Sequence, residues 1–293
     1  MFALLGAFAL VVWWVPLAKA CQLAWSSDAY TYLLVILPSS LGLLYTQRHS
    51  ATTDYEPSRW AGTIVMLIAL LAVAGGGWLL RLGDDARLSI KMLAVVLWSI
   101  GSLIFCFGLG TFKAFLFPLC FLFLIVPLPH VAVDRIIEFL QYQSAFAAEM
   151  MFRLTGVSVV RDGLLLSIPG LNIDVAPECS SIRTSELLVV TALILAHLFL
   201  RSWWRKIVLV AAAIPLSIAK NGFRMFTIAL LGTQVDPGFL EGRLHHHGGI
   251  LFYGLAVLAT VGLLVLLRRT EARREQSGNG LRTELEVHVP VRR

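Results

Sequence analysis

Three groups of reactive side chains stand in or beside long apolar stretches of the sequence. They are Cys179; Lys220 with Asn221 and Arg224; and the run His245, His246 and His247. An ionisable group inside a membrane helix costs about 2.5 to 3.5 kcal/mol, so its presence calls for an explanation. A cysteine nucleophile, a histidine for proton transfer and an arginine that stabilises a developing oxyanion are together suited to acyl transfer.

Cys179 stands just before the apolar run that begins near Arg183. A thiol in the first turn of a helix lies at the positive end of the backbone dipole, and an arginine four residues later can approach it, so both favour the thiolate. The alternative is that Ser180 or Ser181 caps the helix and the cysteine only packs. The sequence leaves open whether Arg183 or Glu186 tunes the thiol.

Lys220 and Arg224 are four residues apart, so they share one face of a predicted helix. Arginine keeps its proton and carries five fixed hydrogen-bond donors, so it is suited to stabilise an oxyanion in a site that excludes water. Alternatively, the two side chains snorkel or bind carbonyl groups at a kink near Pro215 or Gly222.

The histidine run comes directly before Gly248-Gly249 and the last apolar stretch. Histidine suits proton transfer near neutral pH, but successive helical residues point about 100° apart, so at most two of the three imidazoles face one point. The run lacks the i, i+4 spacing of a zinc site and no carboxylate cluster accompanies it, so neither a metal nor another cofactor is predicted. A run without function at the membrane interface is the alternative.

The composition excludes a soluble globular enzyme, because 58% of the 293 residues are hydrophobic and only 14% are charged. The formal net charge of +6 is explained by basic residues that flank apolar stretches, and nucleic-acid binding is not expected. We predict an all-α polytopic membrane protein. Cys106 lies inside an apolar run and is interpreted as a packing residue.

Apolar runs of spanning length predict about eight transmembrane helices, or seven if the fourth and fifth are continuous. Their approximate ranges are 2–20, 29–46, 61–80, 90–110, 112–129, 183–200, 206–232 and 248–267. Residues 1–268 would form the membrane domain, and residues 269–293 a charged cytoplasmic tail, expected to be mobile.

Basic residues between spans six and seven and after span eight assign those turns to the cytoplasm. Alternation through eight spans then places all three reactive groups toward the outer leaflet. On the outer side, an apolar pattern from Val133 to Leu154 predicts an amphipathic helix. Val157–Val160 and Leu164–Ile168, on either side of Arg161-Asp162-Gly163, predict a short hairpin.

The sequence resembles the exosortase/archaeosortase family of integral-membrane, cysteine transpeptidase-like enzymes over about residues 15–265. Cys179-Ser180 resembles its Cys-Ser-Gly block, Asn221-Gly222-Phe223-Arg224 its Asn-x-x-Arg block, and His245 with Gly249 its His-x-x-x-Gly block. Trp25, Asp28, Tyr30 and the stretches Phe117-Pro118 and Val126–Pro129 are also similar to the family. Ser181 and Tyr32-Leu33 depart from it, where glycine and His-Gly are usual.

The resemblance implies that Cys179 attacks a peptide bond near the C-terminus of a secreted protein, forming an acyl-thioester. His245, with His246 and His247 as alternates, would exchange protons, and Arg224 would stabilise the tetrahedral intermediate. Expected substrates are PEP-CTERM-like sorting signals, each a motif, an apolar span and a basic tail, in the inner membrane of a bacterium with exopolysaccharide genes nearby. Ser180, Arg183 and Asn221 are supporting candidates.

A transporter and a non-catalytic component of an exopolysaccharide export complex remain alternatives, and the sequence does not predict the oligomeric state.

Overall fold

The computed structural model describes residues 1–48, 56–78, 83–176, 182–241 and 243–287. Side chains are described throughout these ranges except at 76–78, 241, 243–248 and 274–287. The chain divides into two compact units, Met1–Ile136 and Ile137–Arg293. The structure is 83% helical, which agrees with the prediction of an all-α membrane protein.

Within the described ranges, the first unit contains six helices and the beginning of a seventh. They are α1 (Phe2–Val12), α2 (Trp14–Ser26), α3 (Leu33–Gln47), α4 (Arg59–Trp78), α5 (Asp84–Ala114), α6 (Leu116–Phe121) and α7 (His130–Leu154), with 3₁₀ turns at Asp28–Tyr30 and Leu122–Ile125. Two glycines allow α4 and α5 to approach closely. A Cβ atom on Gly62 would lie 2.5 Å from the Cβ atom of Phe105, and one on Gly101 would lie 2.8 Å from Cγ of Met66.

The stretch around Pro118, Pro127 and Pro129, which interrupts the fifth predicted span, is not one continuous helix. Proline cannot donate a backbone hydrogen bond, so the helix breaks into α6 and a 3₁₀ turn. Side-chain hydroxyl groups donate hydrogen bonds to backbone carbonyl oxygens of this interrupted stretch. Ser40 Oγ donates to the carbonyl of Pro118 (3.0 Å), Ser89 Oγ to that of Pro127 (2.6 Å) and Tyr30 Oη to that of Leu128 (2.8 Å). These bonds supply the partners that an interrupted backbone needs within a membrane.

In the part of the second unit that the structure describes, the rest of α7 is followed by a small sheet and four further helices. The elements are β1 (Val160–Asp162), β2 (Leu165–Ile168), β3 (Leu171–Asp174), α8 (Ile182–Phe199), α9 (Trp203–Gln234), α10 (Gly238–Glu241) and α11 (Arg243–Val287). The strands are antiparallel in the order β1-β2-β3. A buried cluster that includes Ala148, Phe152, Leu166 and Met225 joins α7, the sheet and α9.

Helices α8, α9 and α11 pack together as a bundle. Ala192, Ala213 and Ala256 are buried in one cluster, which we call the alanine layer. Leu200, Leu209 and Leu264 are buried in the next cluster. The residue numbers therefore increase along α8 and α11 and decrease along α9 from one cluster to the other, so α9 is antiparallel to both of its neighbours.

The membrane spans agree with the sequence prediction in kind, while the count of eight stays a prediction. Among the described residues, five helical segments are long and apolar enough to cross a membrane. They are Asp28–Gln47, Asp84–Ala114, Ile182–Phe199, Trp203–Gln234 and Gly249–Arg273. Two bent pairs raise the number to seven: α1 with α2 at 70°, and Leu116–Ile125 with α7 at 93°. Arg59–Gly75 is a shorter apolar helix.

The predicted amphipathic helix corresponds to α7, but the predicted hairpin differs from the sheet. Arg161 and Asp162 lie in β1 rather than in the turn, and Leu171–Asp174 adds a third strand that pairs with β2. The turn lies at Gly163-Leu164 rather than at Arg161-Asp162-Gly163, and this shift changes which residues pair. The position of these elements on the outer side stays a prediction.

The predicted tail begins within a helix. Backbone helix α11 continues to Val287, through the Gly278-Asn279-Gly280 stretch that the sequence pattern marks as a breaker. Residues 288–293 lie outside the described part of the chain, and the tail's mobility and cytoplasmic location stay predictions.

Candidate functional site

The structure describes the three reactive groups to different extents. Cys179 and Ser180 lie outside the described residues, as does Ser181. The histidines His245, His246 and His247 belong to the helical backbone of α11, but their side chains lie outside the described part. Arg183, Asn221 and Arg224 are described with their side chains: Arg183 is exposed, Asn221 is buried and Arg224 is partly buried.

The alanine layer provides a common reference for heights in the bundle. Arg224 lies eleven residues after Ala213 on α9, and His245 lies eleven residues before Ala256 on antiparallel α11. At 1.5 Å per residue, both backbone positions are about 16 Å from the layer, on the same side of it. Helix α8 begins on that side too, because Ile182 precedes Ala192 by ten residues.

Two side-chain hydrogen bonds join the first turns of α8 to α9 near Arg224. Lys220 Nζ donates to Thr184 Oγ1 at 2.5 Å, and Ser217 Oγ donates to Ser185 Oγ at 2.5 Å. Lys220 is only 8% exposed, so its ammonium group is largely shielded from water. We call these four residues the polar seam.

A close approach between α7 and α9 lies beside the polar seam. A Cβ atom on Gly222 would lie 2.6 Å from the Cβ atom of Ala147, so only glycine fits there. Asn221, the neighbouring residue, is 1% exposed. The Asn221-Gly222-Phe223-Arg224 block thus holds α9 tightly against α7 while Arg224 lies one turn beyond Lys220.

The chain that leads toward Cys179 is anchored at Val175, the residue after β3. Its carbonyl accepts a hydrogen bond from Nε2 of Gln141 on α7 at 2.6 Å, and its N–H donates to the carbonyl of Leu164 at 3.1 Å. Val175 is fully buried and Gln141 is 6% exposed. Because an unpaired buried polar group costs about 1 to 3 kcal/mol, this contact holds the end of the sheet firmly to α7.

A second contact between α7 and the sheet is an ion-pair cluster. Glu149 on α7 binds Nε of Arg161 at 2.6 Å and Nη2 of Arg153 at 2.6 Å. Burial lowers the pKa of the Arg161 guanidinium, but its interactions with Tyr142 and Glu149 outweigh this and leave that pKa above its ordinary value. Arg161 therefore stays charged and ties β1 to α7.

Some of these contacts carry no signal in the sequence. Gln141 resembles any polar residue of an amphipathic helix, and Thr184, Ser185 and Ser217 resemble ordinary hydroxyl residues of membrane helices. The tight packing of Gly222 has a partial signal, since glycine within a helix usually has a packing reason. In the part of the chain that is described with side chains, no three His, Cys, Asp or Glu side chains converge as a metal site would need.

Comparison with known proteins identifies the family. Searches of curated proteins and of solved structures find no match for the chain. A family model described as transmembrane exosortase matches residues 24–262, which is more than four-fifths of the chain. The matched range contains the whole polar seam, Gln141, the Asn221–Arg224 block and the positions of Cys179 and His245. With the family model covering that much of its length, the chain belongs to the transmembrane exosortase family.

Proposed function

We propose that the protein is a membrane-embedded cysteine protease and transpeptidase that cleaves the C-terminal sorting signal of secreted proteins. Cys179 is the nucleophile, His245 exchanges protons and Arg224 stabilises the oxyanion. The substrate carries a PEP-CTERM-like motif, an apolar span and a basic tail. Family membership supports a sorting enzyme in a membrane, and the reaction and residue roles are the proposal.

The observation that carries the proposal is the equal height of Arg224 and His245 above the alanine layer. In the sequence, Cys179 precedes Ile182, the first residue of α8, by three residues. An arginine side chain can reach several ångströms from its helix axis. The shared height of Arg224 and His245 supports the proposal that they serve one reaction with Cys179.

The first half of the reaction forms a thioester. The Cys179 thiol gives its proton to the His245 imidazole, and the sulfur attacks the scissile carbonyl carbon. The carbonyl oxygen becomes an oxyanion that the Arg224 guanidinium stabilises. When the C–N bond breaks, His245 returns the proton to the leaving amine, and the apolar tail of the substrate leaves with it.

The second half transfers the acyl group. An incoming amine or water gives a proton to His245 and attacks the thioester carbonyl, after which the Cys179 sulfur leaves and is protonated again. Attack by water releases a free carboxylate, whereas attack by another nucleophile joins the product to a carrier. The polar seam supports this chemistry, because Lys220 adds positive charge one turn from Arg224 in a weakly hydrated region.

The site is proposed to face the outer side of the bacterial inner membrane. Basic side chains cluster at the opposite end of the bundle, where they favour the cytoplasm. That group comprises Arg201, Arg205, Lys206, Arg268, Arg269 and Arg273. A protein secreted across the membrane with a basic cytoplasmic tail would then present its cleavage motif at the level of Arg224.

The test is co-expression of the protein with a tagged PEP-CTERM-like substrate in a host that lacks other exosortases. The Cys179→Ala variant should insert normally and leave the substrate uncleaved, seen as the larger band on a gel. Cys106→Ala is the matched control and should process normally, because Cys106 is interpreted as packing only. Trapping a thioester between Cys179 and the tagged substrate would identify the intermediate.

Normal cleavage by the Cys179→Ala variant would refute the proposed role. A transporter would tolerate that change and respond to substitution of Lys220 and Arg224 in a flux assay. A scaffold of an export complex would tolerate all of these changes as long as the protein is present.

A further inference from the structure

Glu186 places a carboxyl group on α8, a helix that is long and apolar enough to cross a membrane. The residue is partly exposed, but one of its oxygens, Oε2, is buried and has no hydrogen-bond partner. An ionisable side chain within a membrane helix is costly, and an unpaired buried polar atom adds to that cost. The proposed roles of Cys179, Arg224 and His245 do not account for this group.

Two other shielded glutamates are paired. Glu149 binds two arginines, and Glu271 binds Arg205 and two backbone N–H groups. Arg161 and Arg205 also have an unpaired buried nitrogen, but each binds a carboxylate through another nitrogen. The unpaired oxygen of Glu186 is therefore not a general feature of buried charges in this fold, and such an exception calls for an explanation of its own.

Glu186 lies toward the end of the bundle that carries Arg224. It precedes Ala192 of the alanine layer by six residues, so its backbone is about 9 Å from the layer, on the side of Arg224. Side chains on a helix tilt toward its N-terminus, which brings the carboxyl group closer to the height of Arg224. Glu186 points about 200° around α8 from Thr184, the partner of Lys220, so it does not face that ammonium group.

An unwound peptide within a membrane presents the partner that Glu186 lacks. A regular helix pairs its backbone groups, so the segment around a scissile bond must unwind before a nucleophile can reach its carbonyl carbon. Unwinding frees backbone N–H groups, which need an acceptor from the protein where water is scarce. A carboxyl oxygen without a donor and an N–H group without an acceptor are complementary, because each removes the cost of leaving the other unpaired.

We propose that Glu186 binds the substrate, with Oε2 accepting a hydrogen bond from a backbone N–H group of the unwound segment that carries the scissile bond. This role rests on the proposed function, since it takes the substrate to be a peptide that enters near the height of Arg224. The residue is partly exposed and the terminal torsion of a glutamate is broad, so the oxygen can turn toward the incoming chain. Glu186 thereby contributes to substrate affinity rather than to the bond-breaking steps.

The first experiment measures peptide binding by the full chain purified in detergent. The probe is a fluorescent synthetic peptide with a PEP-CTERM-like motif and the start of an apolar span, and every variant also carries Cys179→Ala to prevent turnover. We expect Glu186→Leu to raise the dissociation constant about tenfold, whereas Glu186→Gln, which keeps an acceptor oxygen, should stay within about threefold. The matched control Glu138→Leu makes the same change at an exposed carboxylate on α7 and should alter affinity by less than about twofold.

The second experiment measures stability, where the expected sign is opposite. Glu186→Leu should raise the unfolding midpoint by about 2 to 4 °C, because it removes an unpaired polar atom from the interior. Peptides in which single amides are replaced by esters then locate the N–H donor. One such ester should weaken binding about tenfold when Glu186 is present and have no effect in Glu186→Leu, since both changes remove the same hydrogen bond.

Unchanged peptide binding in Glu186→Leu would overturn the proposed role of this residue. Weaker binding with a lower unfolding midpoint, or failure of the variant to fold, would overturn it too, because both outcomes identify a structural residue. Cleavage of the tagged substrate is scored separately with Cys179 in place. Normal cleavage by Cys179→Ala would refute the proposed function while leaving the binding result intact, whereas no binding of the peptide when Glu186 is present would overturn both.

Discussion

At one end of the α8–α9–α11 bundle, the buried Lys220 donates to a neutral hydroxyl on Thr184; at the other, the buried Arg205 is paired with the carboxylate of Glu271. A hydroxyl satisfies a donor but leaves the positive charge in place, whereas a carboxylate cancels it. The first end thus keeps a positive potential beside Arg224, where an oxyanion would form. The second end uses its buried charges to hold the turn between α8 and α9 to α11.

The distance between the two ends matches a membrane. His245 and Arg268 are separated by 23 residues of continuous helix α11, which is about 34 Å, against about 30 Å for the hydrocarbon core of a bilayer. The helix positions of His245 and Arg268 are therefore separated by about the thickness of one hydrocarbon core. The contrast is that the partner of Lys220 is an uncharged hydroxyl, whereas the partner of Arg205 is a carboxylate.

Replacing Arg224 should have the largest effect. We expect Arg224→Gln to lower the rate of substrate processing by roughly 10² to 10³ while the protein remains folded, because a donor to the oxyanion is lost. Band intensities over time after induction of the substrate measure the rate. The control Arg269→Gln removes a charge near the other end, and its processing rate should stay within about twofold of that of the unmodified protein. An equal loss of rate in both variants would mean that the two ends do not differ in their role in processing.

Breaking the buried pair at the basic end should affect stability. Glu271→Ala leaves Arg205 buried without its carboxylate, and we expect a loss of about 3 to 5 kcal/mol in the free energy of unfolding. Denaturant titration in mild detergent measures it. Replacing both residues with methionine should restore most of the loss, whereas Glu138→Ala, at an exposed carboxylate, should change stability by less than about 1 kcal/mol. A small effect of Glu271→Ala would mean that this end is not held by the pair.

Loss of the hydrogen bond between Gln141 and the carbonyl of Val175 should lower both the stability of the protein and the rate of substrate processing. Gln141→Leu leaves the buried carbonyl of Val175 without its side-chain donor, at a cost of about 1 to 3 kcal/mol. We expect slower processing and a changed rate of Cys179 alkylation by a membrane-impermeant maleimide, because the chain leading to Cys179 loses its anchor. Gln143→Leu, two residues along α7, is the control and should alter neither. An unchanged alkylation rate in Gln141→Leu would show that the contact between Gln141 and Val175 does not affect Cys179.

The smallest effect is expected at the exposed half of the Glu149 cluster. The side chain of Arg153 is 62% exposed, so Arg153→Gln should change the free energy of unfolding by less than about 1 kcal/mol. The side chain of Arg161 is only 18% exposed, and Arg161→Gln should cost more, because its contact with Glu149 is less screened by water than that of Arg153. Melting curves of the two variants compare them directly, and equal shifts would show that burial does not set the strength of these pairs.

The amino-acid sequence by itself determined the class of the protein and its family. Long apolar runs are a local property, so composition and span length were enough to predict an all-α membrane protein. The Asn221–Arg224 block and the Cys179 and His245 positions carried the resemblance to exosortases, which the family match over residues 24–262 confirms. The site roles of those residues stay a proposal.

Only the tertiary structure decided which distant residues meet. The break of the fifth predicted span depends on partners such as Ser40 and Tyr30, far from it in the chain. The contact of Gln141 with Val175 and the pair of Arg205 with Glu271 join residues 34 and 66 positions apart. Periodicity reports which face of a helix is apolar but carries no information on which helix covers that face or at what height, because those depend on packing among all the elements together.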